Sequence, residues 1–60
     1  MEEYTYLIKY KVRKRDEFEE DEIVVASDKE GAIEAFLGMH PRGIIQVIYK
    51  VGIDGSLECV

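Results

Sequence analysis

The chain predicts an α+β fold: an antiparallel sheet of three to four strands with one helix on one face, in the order ββαββ. Three observations carry this expectation. Tyr4 to Arg13 alternates strictly between two sets of side chains, the period of a strand. One amphipathic stretch near the middle opens with a capping signal and closes at glycine and proline. An Asp-Gly pair separates the last two apolar runs, as in a hairpin. With 60 residues, one domain spanning 1–60 is expected.

In the first strand, Tyr4, Tyr6, Ile8, Tyr10 and Val12 share one side, and Thr5, Leu7, Lys9, Lys11 and Arg13 share the other. The return strand is Phe18 to Ala26, ending in Ile23-Val24-Val25-Ala26. At the link a basic run, Lys9, Lys11, Arg13, Lys14 and Arg15, gives way at once to an acidic one, Asp16, Glu17, Glu19, Glu20, Asp21 and Glu22. Opposite charges directly across a strand pair favour pairing. The register that exploits them sets Arg13 opposite Phe18, Lys11 opposite Glu20, Lys9 opposite Glu22 and Leu7 opposite Val24. A one-residue slip would move every side chain to the other face and set Tyr10 against Glu20.

The helix is expected to start at Ser27, with Glu30 completing a capping box and Asp28 adding favourable charge in the first turn. Ala32, Ile33, Phe36 and Leu37 recur at helical spacing. Gly38 is a natural C′ residue and Pro41 prevents resumption. Ile44 to Val51 has the apolar density of an inner strand. Asp54-Gly55 suggests a type I′ turn that folds Ser56 to Val60 back as a short final strand.

One helix covers one face. The covered face is expected to hold the even-numbered first-strand residues with Ile23, Val25, Ile45, Val47, Tyr49 and Val51. The opposite face would then carry Leu7, Val24, Ile44, Ile48, Leu57 and Cys59. That is a large apolar surface for a monomer, and contiguous patches beyond a few hundred Å² mark interaction sites. A self-dimer is the simplest cover, since closed two-fold dimers are the commonest soluble assembly. A chain of this length buries only about 60% of its unfolded surface, and one cysteine forms no internal disulfide.

Composition narrows the chemistry. The net charge is −5, which repels nucleic-acid phosphate. The single His and Cys fall short of the four ligands of a structural zinc site, and no cofactor is implied. The acidic arm lacks the spacing of a calcium loop; it reads as a solvated or partner-binding arm. His40 and Cys59 have no catalytic neighbours in sequence, so an enzyme is not expected. Lys9, Lys11, Arg13, Lys14 and Arg15 could contact nucleic acid beside the tyrosines. The Tyr and Lys sets occupy opposite faces, however, which makes this the alternative reading. The lone thiol suits a reducing compartment. No leader or membrane span is read, and the expected location is the cytoplasm.

The stretch from Val24 to Phe36, with Ser27, Glu30, Ala32 and Phe36 as its frame, is followed by His40-Pro41 and Ile44 to Val47. It resembles a recurrent layout of very small bacteriophage-encoded accessory proteins. The resemblance implies a host-takeover or counter-defence protein that binds and blocks a bacterial protein. It carries over no functional residue.

Overall fold

The computed structural model of the chain describes residues 2–13, 15 and 17–60. Lys14 and Asp16, read above as parts of the basic strip and the acidic arm, lie outside the described residues. The elements are β1 (Tyr4–Lys11), β2 (Glu20–Ala26), α1 (Lys29–Met39), β3 (Ile44–Val51) and β4 (Leu57–Cys59). The strands form one antiparallel sheet in the order β2-β1-β3-β4. The α+β class and the ββαββ order are as expected. The first hairpin arms end sooner than their charge pattern suggested, at Lys11 and Glu20.

The helix lies across β2 and β1. Its Ala32 and Phe36 meet Tyr6, Ile8, Tyr10, Val24, Ala26 and Ile48 in a single core, with Tyr4, Ile33 and Ile45 packed at its margin. Phe36 and Ile8 are fully enclosed. Leu37 stays largely exposed, so Ala32, Ile33 and Phe36 form the helix's buried stripe.

The hairpin register differs from the charge-based expectation by one residue. Tyr6 faces Val24, Leu7 faces Ile23, and Tyr10 faces Glu20. Val24 therefore belongs to the core, while Ile23 and Val25 turn to the other side of the sheet. Close approach of the helix explains the choice. Asp28 caps α1, its carboxylate accepting from the Gly31 N–H at 2.7 Å. A Cβ at Gly31 would lie 3.4 Å from the Ala26 Cβ. Small side chains at that crossing let the first turn settle on β2, and this requires Ala26 to face it. Exposed ion pairs contribute only about 0–1 kcal/mol each, too little to oppose burial of Val24 and Ala26. The shift replaces the expected Lys9–Glu22 pairing with an ion pair between Lys9 Nζ and Asp21 Oδ1 at 3.3 Å.

A bulge corrects the reading of β3. Lys9 pairs with Val47 but Tyr10 pairs with Ile45, so Gln46 is one extra residue on the β3 side. Strict alternation breaks there. Ile45 and Ile48 face the helix, whereas Ile44, Val47, Tyr49 and Val51 face away. Ile48 is consequently a core residue and not part of the uncovered face.

Three terminators also differ. The N-cap is Asp28, not Ser27, because it is the Asp28 carboxylate that reaches the Gly31 N–H. The helix continues through Gly38 to Met39, and the His40 N–H donates to Phe36 O at 2.7 Å. The last hairpin is not of the I′ type. Within this loop only Gly55 has positive φ, at 84°, while the Gly52 N–H donates to Ser56 O and the Gly55 N–H to Gly52 O. This is a three-residue loop, Ile53-Asp54-Gly55, with its glycine in the left-handed region.

Candidate binding surface

The uncovered side of the sheet follows from the pairing. β2 contributes Asp21, Ile23 and Val25. β1 contributes Thr5, Leu7, Lys9 and Lys11. β3 contributes Ile44, Val47, Tyr49 and Val51, and β4 contributes Leu57 and Cys59. Of the residues expected here, Leu7, Ile44, Leu57 and Cys59 are present, whereas Val24 and Ile48 lie in the core. Ile23, Val25, Val47, Tyr49 and Val51 take their place, so the face is more apolar than expected. Ile23 is 63% exposed, Val25 58% and Leu57 51%.

The polar groups on this side gather at one end. Lys9 is paired with Asp21, and Lys11 lies beyond it. Toward the other end the face presents Leu7, Val25, Tyr49, Val51 and Leu57, all uncharged side chains. The surface is thus an apolar field with a charged margin on one side.

The described residues of the acidic arm are divided between the two sides of the sheet. Asp21 is on the uncovered face. Glu20 and Glu22 are on the helix side, where Glu22 Oε1 lies 3.1 Å from His40 Nε2. His40 also stacks on Tyr10 and Phe36, with centroids 4.7 and 5.2 Å away. The imidazole thereby links the end of α1 to β2 and β1, a structural task that the sequence position of His40 did not reveal. Burial first, and then the Glu20 carboxylate, raise the Tyr10 phenol above its ordinary pKa. Glu17 and Glu19 are exposed, as are Arg13 and Arg15.

The tyrosines do not form a platform. Tyr6 and Tyr10 are core residues, and Tyr4 lies under Lys50, whose Nζ is 3.8 Å from the ring centroid. Tyr49 is half-buried on the uncovered side, which corrects its assignment to the helix-covered face. A shallow depression of about 260 Å³ runs along Tyr10, Val12, Met39, His40 and Pro41. Among the described residues, no group of three or more His, Cys, Asp or Glu is placed to hold a metal ion. No helix among them is long and apolar enough to cross a membrane.

Comparison with known protein families, with curated proteins and with solved structures finds no match to this chain.

Proposed function

We propose that this chain is a non-enzymatic protein-binding module that works by contact through its uncovered sheet face. The observation that carries this reading is the apolar field around Leu7, Val25, Tyr49, Val51 and Leu57, on the side that the helix does not cover. Burial of apolar area at about 25 cal/mol per Å² is the free energy such a field offers a partner. The titratable residues support the same reading. His40 is occupied by Glu22 and two aromatic rings, and Cys59 stands exposed on an edge strand.

The resemblance of the Val24–Phe36 stretch to small phage proteins makes a bacterial protein the target class to test first, with the chain as its inhibitor or modulator. The test is affinity capture from bacterial lysate with three baits: wild type, Leu7→Glu, and a charge-reversed variant at Glu19, Glu20, Asp21 and Glu22. A target held by wild type and lost with Leu7→Glu supports the reading. A target lost only with the charge-reversed bait would move the contact to the acidic arm. A parallel titration with single- and double-stranded DNA and RNA should show no binding. Binding that weakens steeply with salt would replace this reading with nucleic-acid recognition through Lys9, Lys11, Arg13, Lys14 and Arg15.

A further inference from the structure

The uncovered face is large enough to ask what occupies it first. A compact chain of 6.9 kDa is expected to expose about 4,000 Å². This one exposes 4610 Å². Large apolar side chains on the uncovered face contribute to that area, with Ile23 63%, Val25 58% and Leu57 51% exposed, and a standard protein interface takes roughly 800 Å² from each partner.

The two edges of the sheet are poorly suited to take a second copy. Pairing β2 with β2 would gather Glu20, Asp21 and Glu22 of both copies along one seam. On the other edge, β4 is only three residues long. Beside it, the Gln46 side-chain amide donates to Ile44 O at 3.2 Å, next to the Gln46 bulge. Short edges, inserted charges and bulges are the devices that discourage strand addition. The face has no such obstacle. Lys9 and Asp21 pair with each other at 3.3 Å, Lys11 lies at the charged margin, and Leu7 and Tyr49 at the centre are uncharged. Stacking two such faces leaves the Glu20, Glu22, Glu30 and Glu34 carboxylates on the helix sides, away from the contact, despite a net charge of −5 on each chain.

We infer that two copies of this chain stack sheet on sheet through their uncovered faces, forming a closed two-fold α/β/β/α sandwich. This rests on the contact reading above and names the first partner of the same face. The two sheets lie about 10 Å apart. Leu7 and Tyr49, directly paired across β1 and β3, sit near the middle of the contact, with Ile23, Val25, Val51 and Leu57 around them.

The experiment is sedimentation equilibrium of the full chain from micromolar to millimolar concentration, with circular dichroism to verify folding. Two variants accompany the wild type: Val25→Lys on the face, and Ile53→Lys at the tip of the last loop, where Ile53 is fully exposed. The wild type should reach twice the 6.9 kDa chain mass. Val25→Lys should weaken self-association by more than about tenfold, because a charge would be buried without a partner, and Ile53→Lys should leave it unchanged. Equal loss in both variants, or loss with Ile53→Lys alone, would overturn the stacked arrangement. A wild type that stays monomeric throughout would overturn the dimer, and a neutral apolar dye such as Nile red then tests the underlying reading. Dye binding that Val25→Lys abolishes would keep the contact face while removing the second copy. Dye binding absent, or indifferent to Val25→Lys, would remove both.

Discussion

Two glycines that look alike in the sequence should respond to alanine with opposite signs. A Cβ at Gly43 would fall 2.6 and 2.8 Å from two ring carbons of Phe36 and 3.2 Å from His40 O. Ordinary carbon contacts lie near 3.5–4.0 Å, so the ring would have to retreat by about 1 Å. Phe36 is fully enclosed, with Tyr10 edge-on at 4.9 Å and His40 at 5.2 Å, and none of these neighbours can yield alone. Overpacking of this kind costs about 1–3 kcal/mol. A domain of this length has roughly 3–9 kcal/mol in all, and each kcal/mol moves its melting point by about 4–8 °C. Gly43→Ala should therefore lower Tm by on the order of 10 °C. Gly38 is the opposite case. It sits inside α1 with nothing within 4 Å of a Cβ, and Gly38→Ala should add up to about 1 kcal/mol through helix propensity. Thermal and urea unfolding followed by circular dichroism measure both. A Gly43→Ala variant as stable as wild type, or a Gly38→Ala variant as damaged as Gly43→Ala, would refute the placement of Phe36 beneath the helix-to-β3 loop.

The Tyr10 phenol is held above its ordinary value of 10.0, chiefly by burial. A raised folded-state pKa gives stability that is complete below the ordinary value and lost as pH rises above it, so unfolding titrations should show an alkaline loss that Tyr10→Phe reduces. The Asp54 carboxylate is held below its ordinary value of 3.8, first by the Ser56 hydroxyl and then by the Ser56 N–H at 3.0 Å. Its contribution is present above that value and disappears as pH falls through the folded pKa. Ser56→Ala should move the Asp54 titration, followed by NMR, upward. A double-mutant cycle on Lys9 and Asp21, which are 3.3 Å apart, should give a coupling of about 0–1 kcal/mol that shrinks with salt. A larger, salt-insensitive coupling would place the pair inside a protein contact and not at its solvated margin.

Much of the architecture was legible from periodicity. The even-numbered residues of β1, the Ala32-Ile33-Phe36 stripe and the glycine of the last loop each point to one local structure. So does the existence of a second apolar face, because one short helix cannot cover both sides of four strands. The membership of that face was not legible. Ile23-Val24-Val25-Ala26 is apolar at every position, so period two does not say which pair turns inward. The decision came from the close approach of Gly31 to Ala26, which no local pattern encodes. β3 hides its bulge for the same reason: Ile44-Ile45 and Val47-Ile48 satisfy either alternation around Gln46. His40 gave no signal because its partners, Glu22, Tyr10 and Phe36, come from three different elements. Ser27 and Asp28 are both good caps, and only the direction of the Asp28 carboxylate separates them.

The proposed contact surface is the side of the sheet opposite α1, where Leu7, Ile23, Val25, Tyr49, Val51 and Leu57 lie. Isotope-filtered NMR on a mixture of labelled and unlabelled chains tests it most directly. Intermolecular contacts are expected from the methyl groups of Leu7, Ile23, Val25 and Val51, and none from Val24 or Ile48. Intermolecular contacts confined to Val12, Phe18 and Ile53, or arising from Val24 and Ile48, would contradict it.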